Sequence, residues 1–221
     1  MNDHNISLGR AQESVLATNK VLKNTYMLLS MTLIFSGVMA LVGMSAGVGH
    51  GASLVSSLVA IGLLWFVLPR TANSTAGIPV LFAITGLLGL GLGPMLNYYM
   101  AINPGIVSTA LGGTGVIFLG LSGYALTTRK DFSFMAGFLM VGLMVVLVAA
   151  LANIFLQMPV MQLVISAAIV MIMSGLILYQ TSEIIHGGET NYIMAAASLF
   201  LSILNMFQAL LHLLGAFGGD D

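Results

Sequence analysis

The sequence predicts an all-α integral membrane protein that folds as a bundle of seven transmembrane helices. The first observation is composition, because 58% of the 221 residues are apolar and only 6% are charged. Soluble domains are about a quarter charged, and six basic with seven acidic side chains cannot cover a soluble surface of this size. The second is that the charges are clustered, which leaves long uncharged stretches. The third is that all basic residues fall on one side of the bilayer when seven helices are drawn.

The uncharged stretches set the number of membrane crossings. A helix that crosses about 30 Å of hydrocarbon needs about 20 residues. Residues 24–69, 71–128 and 132–182 each accommodate two helices and a turn, and residues 190–219 accommodate one. Turns rich in Gly, Asn or Pro separate the paired helices at 45–51, 103–105 and 157–159. The predicted helices are 24–44, 52–69, 78–99, 106–127, 133–156, 160–182 and 190–214.

The chain is predicted to be one domain with a tail at each end. Residues 1–23 form an amino-terminal tail, residues 24–215 form the transmembrane bundle, and residues 216–221 form a short carboxyl-terminal tail. Loops that carry basic residues face the cytoplasm under the positive-inside rule. The amino terminus is therefore expected in the cytoplasm and the carboxyl terminus on the outer side. The basic residues that set this orientation are Arg10, Lys20, Lys23, Arg70, Arg129 and Lys130.

Several classes of function are disfavoured by what the sequence lacks. It contains no cysteine, which excludes disulfides, thiolate metal sites and cysteine nucleophiles. It has no basic patch that could neutralise the phosphates of nucleic acid. The first twenty residues are polar and do not read as a cleaved signal peptide. The remaining partner is the lipid bilayer.

One short motif resembles the box around the nucleophile of rhomboid proteases. Residues 120–123 read GLSG, and His212 is the base that could be imagined for Ser122. Ser122 lies ~10 Å from the charged boundary, whereas His212 lies ~33 Å along a helix that starts at that boundary. A nucleophile and its base must touch, so this pair is excluded. We expect no catalytic residues, no metal site and no cofactor.

Polar side chains mark the contact between the sixth and seventh predicted helices. Gln180 and Glu183 lie one turn apart at the end of the sixth helix. On the seventh, small and polar residues recur at steps of four and three, and we expect this stripe to turn inward, away from lipid. We therefore predict a polar site of Gln180, Glu183, Ser202 and Asn205 that opens toward the cytoplasm. The alternative is that these groups only hold the two helices together. The stripe comprises Ser198, Ser202, Asn205, Ala209 and His212.

The loop after the sixth helix carries acid close to the basic loops. Glu183 and Glu189 are predicted on the same face of the membrane as Arg70 and Arg129, so ion pairs across the cytoplasmic mouth are expected. Glu189 also lies near the start of the seventh helix, where a negative charge favours the helix dipole. The alternative interpretation is a solvated connector. Within the third predicted helix, Gly89 has the small-residue spacing to Gly93 that permits close helix packing.

Several longer strings resemble the Bax inhibitor-1 family, and in particular its bacterial branch. They are YALTTRKDFSFMAG at 124–137, ANIFLQMP at 152–159 and TSEIIHGGETNYI at 181–193, together with NTYMLLSMTL and TGLLGLGLGPMLN nearer the start. The resemblance covers nearly the whole chain. It implies a seven-helix membrane fold of the Bax inhibitor-1 type with its amino terminus inside.

The resemblance also implies a function. Members of this bacterial branch bind and restrain the membrane-anchored AAA protease FtsH, acting as slow substrates in membrane-protein quality control. We therefore expect a non-enzymatic inner-membrane protein with FtsH as its partner and a periplasmic carboxyl terminus. FtsH takes membrane substrates by a free cytoplasmic end, and the polar residues 1–20, expected to be mobile, suit such a handle.

A second function implied by the resemblance is a cation leak. Calcium-leak members carry two aspartates, near the end of the sixth helix and in the seventh, that share a proton and gate a pore. Alignment places Gln180 and Ser202 at these positions. Both carboxylates are replaced, so a calcium or proton leak is disfavoured. Neutral Gln180 and Ser202 are instead expected to hydrogen-bond to each other.

Overall fold

A computed structural model describes residues 2–218, with the side chains of Leu16 and of residues 18–218. Seven helical segments in this part of the chain are long and apolar enough to cross a membrane, which confirms the predicted number. The second and third crossings each combine two helices. The helices are α1 (Asn2–Ser45), α2 (His50–Gly62), α3 (Leu68–Thr71), α4 (Gly77–Gly91), α5 (Gly93–Ile102), α6 (Pro104–Thr128), α7 (Ala136–Leu156), α8 (Pro159–His186) and α9 (Tyr192–Phe217).

The first helix begins earlier than predicted. Helix α1 starts at Asn2, and its apolar membrane-crossing part is Thr18–Ser45. The prediction of a mobile handle over residues 1–20 falls mostly on side chains outside the described set. At the other end of the chain, residues 219–221 of the predicted tail also lie outside the described residues.

The sixth crossing is longer than predicted. Helix α8 continues past residue 182 to His186, so Glu183 lies within the helix. It ends at Gly187, which adopts the left-handed conformation with φ 77° that glycine tolerates without strain. The backbone N–H of Gly188 then donates to the carbonyl of Glu183 at 2.8 Å. The helix therefore stops at its glycine cap, and the first charged residue, Glu183, does not mark its end.

Two prolines interrupt the second and third crossings. Pro69 and Pro94 each lack the N–H that would continue the helical ladder. The second crossing widens into a π-helical turn over Leu63–Val67 just before Pro69. The third crossing breaks at Leu92, and α5 restarts with Gly93 and Pro94. The interruptions follow from the missing donors. The two crossings, His50–Thr71 and Gly77–Ile102, extend slightly beyond the predicted helices 52–69 and 78–99 at both ends.

Helix α9 is the centre of the bundle. Two thirds of the residues in its most apolar stretch are buried, against 17% in the crossing that contains α7. Helices α1, α6 and α8 pack around it. Large apolar side chains on outer helices are exposed instead, among them Phe138 at 76% and Phe155 at 87%. An apolar outer surface of this kind is stable in lipid, which agrees with the composition argument.

Small residues bring α1 against the third crossing, as predicted from Gly89 and Gly93. A Cβ atom on Gly89 would overlap the backbone carbonyl of Ser36. A Cβ atom on Gly93 would lie 2.6 Å from the carbonyl carbon of Gly43. Only glycine permits this approach, and close backbone packing is a main source of helix association in lipid.

The bundle has two chemically different ends. The charged end contains the loops 72–76, 129–132 and 187–191. Lys130 lies in the second of these loops, and Arg70 and Glu183 lie on the helices that precede the first and the third. The opposite end contains the loops 46–49 and 157–158 and the turn at Asn103, and these carry no Asp, Glu, Lys or Arg. The predicted segregation of charge is therefore reproduced by the fold of the described residues.

Candidate functional site

Three of four consecutive polar residues at the charged end of α8 bond to three different parts of the bundle, and the fourth lines a cavity. The four are Gln180, Thr181, Ser182 and Glu183. Successive residues of an α-helix point about 100° apart, so four in a row cover the whole circumference. A surface helix would expose most of them to solvent. Helix α8 is surrounded by α1, α6, α7 and α9, so polar side chains on several of its faces can reach a neighbouring element.

Gln180 connects α8 to the central helix. The hydroxyl of Ser202 donates to Oε1 of Gln180 at 3.1 Å and is also 3.1 Å from the carbonyl oxygen of Ser198. Ser202 is only 2% exposed. The predicted hydrogen bond between these two side chains is therefore present. Both groups are neutral, so this pair links the helices without binding a proton or a cation strongly.

Thr181 connects α8 to the first crossing. Its hydroxyl is fully buried and lies 3.2 Å from the phenolic oxygen of Tyr26 on α1. The ring of Tyr26 also lies against Phe118 of α6, with centroids 6.1 Å apart. One tyrosine thus joins the first, fourth and sixth crossings near the charged end.

Ser182 fixes the loop between α6 and α7. Its hydroxyl accepts the backbone N–H of Phe132 at 3.0 Å and donates to the carbonyl of Lys130 at 3.3 Å. In the same loop the backbone N–H of Ser133 donates to Asp131 at 2.8 Å, and this hydrogen bond lowers the pKa of the Asp131 carboxyl. The loop that carries Lys130 and Asp131 is therefore held in a defined position.

Two of the acidic residues at the charged end, Glu183 and Glu189, line the same cavity. Both are half-buried, and the cavity of about 150 Å³ is also lined by Gln180 and Ser198. A carboxylate oxygen of Glu189 accepts the backbone N–H of Asn191 at 2.7 Å.

The two arginines expected to pair with these acids lie in other surroundings. The guanidinium of Arg70 donates to the carbonyl of Phe66 on its own helix. Arg129 caps α6 and lines a separate cavity of about 310 Å³ with His186. Ion pairs between the arginines and Glu183 or Glu189 thus remain a prediction.

The prediction that Asn205 faces the interior of the bundle is wrong. Asn205 is exposed, and its amide donates to the carbonyl of Leu201 at 2.8 Å. The predicted stripe combined two rows, because residues seven apart share a face and residues three apart are rotated by about 60°. Ser202 and Ala209 form the buried row, at 2% exposed each. The other row is Ser198, Asn205 and His212.

Three side chains of this site were missed by sequence reasoning. Thr181 and Ser182 lie between the predicted residues, and a run of four polar residues inside an apolar helix was the available signal. Asn191 is the third, and it caps α9 by accepting the N–H groups of Ile193 and Met194 at 2.9 and 3.1 Å. Its amide donates to Asn73 at 2.8 Å, which ties the start of α9 to the loop after α3.

The pair excluded by depth is also separated by its contacts. Nδ1 of His212 lies 2.8 Å from the hydroxyl of Tyr99, near the opposite end. Ser122 is buried on α6, and within the described residues its hydroxyl has no hydrogen-bond partner. Among the same residues, no three His, Cys, Asp or Glu side chains are grouped to hold a metal ion.

The fold and this site define a class of protein: a seven-helix membrane bundle whose central helix is joined to its neighbours by neutral hydrogen bonds at the charged end. The profile of the family described as "Inhibitor of apoptosis-promoting Bax1" matches residues 18–219. The chain therefore belongs to the Bax inhibitor-1 family.

Relatives within this family cover almost the whole chain. An "Uncharacterized membrane protein" of Vibrio cholerae is 51% identical over 211 residues, 95% of each chain. The "Modulator of FtsH protease YccA" of Escherichia coli K12 is 48% identical over 214 residues, 96% of this chain and 97% of its own. A protein of E. coli O6:H1 with the same identity and coverage is named "Inner membrane protein YccA". The functional names among these describe a modulator and a membrane protein.

Proposed function

We propose that this chain is an integral inner-membrane protein that binds and restrains the protease FtsH in membrane-protein quality control. The observation that carries the proposal is 48% identity, over 96% of this chain, to a protein named as a modulator of that protease. Identity over nearly the full length means that the helices, the loops and the charged end all have counterparts in that relative. Its name, and the family's description as an inhibitor, support a non-enzymatic role.

The charged end is the surface proposed to face the cytoplasm. Arg70, Arg129 and Lys130 all lie there, and the positive-inside rule assigns such loops to the cytoplasmic side. Helix α1 enters the membrane from the same end, at Thr18. In this orientation residues 1–20 project toward a cytoplasmic protease, and residues 216–221 lie in the periplasm.

The bundle suits a protein that occupies a protease without being degraded quickly. Extraction from the amino terminus would pull on α1, which is bonded to α8 through Tyr26 and Thr181 and packed on α4 at Gly89. The central helix α9 would be uncovered only after these contacts break. Slow unfolding of this kind keeps a substrate bound longer, because degradation requires unfolding first.

The test is co-purification with FtsH from detergent-solubilised membranes, combined with the half-life of a known FtsH membrane substrate. The complete chain should co-purify and lengthen that half-life. Deletion of residues 1–20 should make the chain itself longer-lived in a chase and strengthen its restraint of the protease. Deletion of residues 216–221 is the matched control and should change neither. Absence of co-purification, with an unchanged substrate half-life, would refute the proposal.

A cation leak is the weaker candidate. The Gln180–Ser202 pair is neutral, so it lacks the shared proton of a carboxylate pair. Glu183 lies one turn away, next to the cavity of about 150 Å³. If the leak existed, proteoliposomes would pass cations and Glu183→Gln would alter the flux. We expect no flux at any pH.

A further inference from the structure

Three polar residues are spaced along one face of the central helix. Ser198, Asn205 and His212 are spaced by seven residues, so they lie on one face with a drift of only about 20° per step. Successive members are ~10.5 Å apart along the axis at 1.5 Å per residue. The row therefore extends ~21 Å, most of the ~30 Å hydrocarbon thickness.

Asn205 is the middle of this row and is exposed at the surface of the bundle. An asparagine amide offers two N–H donors and a carbonyl acceptor. Its one hydrogen bond to the described residues is the donation to Leu201 on its own helix. A donor and the acceptor thus remain available where the surrounding solvent is lipid, which cannot satisfy them.

Cavities flank the row at both ends. At the charged end, Ser198 lines the cavity of about 150 Å³ with Gln180 and Glu183 of α8. At the opposite end, His212 lines a cavity of about 250 Å³ between α5 and the start of α8, with Tyr98 and Gln162 on its walls. A separate cavity with hydrogen-bonding groups therefore lies beside each end of the row, and residues of α8 line both cavities.

We propose that this row binds a transmembrane helix of another membrane protein, one that carries an Asn or Gln side chain near its middle. Two facing amides can exchange hydrogen bonds, which satisfies the groups that Asn205 leaves open. Association of helices in lipid depends on such polar contacts and on small residues. Ser198 and Ala216 are small, so the two ends of this face leave room for a helix to approach. The inference rests on the proposed function, in which this chain contacts a membrane-anchored protease.

A helix fits this surface better than an ion or a file of water. A pore must be closed from lipid around its whole circumference, whereas Asn205 is exposed at the outside of the described bundle. The buried row, Ser202 and Ala209, is the one enclosed by neighbouring helices. The face that carries Asn205 is therefore uncovered on its outer side, and a partner helix would pack there.

The test uses two synthetic peptides in phosphatidylcholine vesicles that contain the complete chain. Both peptides are lysine-flanked polyleucine transmembrane helices, and one carries a single central Asn. The chain has no cysteine, so Thr75→Cys in the exposed loop after α3 provides a single site for an acceptor dye. Energy transfer then gives the affinity of each peptide. The Asn peptide should bind about tenfold more tightly than the polyleucine peptide.

Three variants locate the preference. Asn205→Leu should abolish it, and Asn205→Gln, which keeps an amide, should retain it. Adding Val145→Asn to Asn205→Leu places an exposed amide on α7, where Val145 is 62% exposed, and should not restore it. Equal binding of the two peptides, a preference that survives Asn205→Leu, or restoration by Val145→Asn would overturn the proposal. The assay contains no protease, so such a failure would leave the co-purification test of FtsH restraint independent.

Discussion

The hydrogen bond between Gln180 and Ser202 should contribute measurably to the stability of the bundle. The perturbation is Ser202→Ala, which removes the hydroxyl 3.1 Å from Oε1 of Gln180 and changes the volume little. Ser202 is 2% exposed, so no lipid or solvent contact is altered directly. The substitution therefore isolates the polar link between α8 and α9.

Its magnitude follows from the surroundings of the two partners. Interhelical hydrogen bonds in membranes average about 0.6 kcal/mol and reach about 1.7. A buried acceptor left without a partner costs about 1–3 kcal/mol. Gln180 is half-buried beside the cavity of about 150 Å³, which has room for water. Water can then replace the lost donor, so Ser202→Ala should lower the free energy of unfolding by about 0.6–1.5 kcal/mol.

The assay is reversible unfolding in mixed micelles of dodecyl maltoside and dodecyl sulfate. A double-mutant cycle with Gln180→Leu separates the pair from other effects of each substitution, and its coupling energy should be at least about 0.6 kcal/mol. Ser174→Ala is the matched control, because the Ser174 hydroxyl donates only to Val170 on its own helix at 2.7 Å. Coupling within the ~0.3 kcal/mol error of additivity would refute the reasoning.

Three further outcomes are expected. Gly89→Ala should lower the free energy of unfolding by about 1–3 kcal/mol, because the new Cβ would overlap the backbone of Ser36. The control is Gly120→Ala, which should leave the free energy of unfolding unchanged because no atom lies within 4 Å of a Cβ there. An equal decrease in the free energy of unfolding for the two variants would contradict the packing argument. Asn191→Ala should lower the free energy of unfolding by about 1–2 kcal/mol, because α9 loses its cap. Asn103→Ala should have a smaller effect, because Asn103 caps α6 through one N–H and lacks the loop contact that Asn191 makes with Asn73. The hydrogen bond that lowers the pKa of Asp131 should stabilise the fold above the ordinary carboxyl pKa and lose this effect as pH falls through the lowered value. Carbon-13 NMR of the carboxyl measures this, and a midpoint at or above that of an unfolded peptide would contradict it.

The architecture could be predicted because lipid imposes strong constraints on sequence. Charged side chains are excluded from hydrocarbon, so the positions of Arg70, Arg129 and Glu189 mark where the chain can leave the membrane. The glycine pair Gly89 and Gly93 reveals a close contact because no other residue fits there. These signals depend on residue type and position alone.

Contacts between polar side chains could be predicted only where an alignment supplied the pairing. The Gln180–Ser202 bond came from two family positions that had to be neighbours. Thr181 and Asn191 bond to residues 155 and 118 positions away, Tyr26 and Asn73. Hydroxyls and amides bond equally well within a helix or across one, so their type does not reveal the partner. The π-helical turn before Pro69 was missed because proline predicts a break without its form.

The two rows on α9 separate stability from recognition on a single helix. Ser202 and Ala209 face neighbouring helices, so substitutions there should change the free energy of unfolding and leave binding of other helices unaltered. Asn205 is exposed and bonds only within its own helix in the described bundle, so Asn205→Leu should leave the free energy of unfolding unchanged within error. If Asn205 instead supported the bundle itself, the same change would destabilise it as much as Ser202→Ala does. Measuring both variants in the same micelles therefore decides whether the exposed amide serves the fold or an incoming helix.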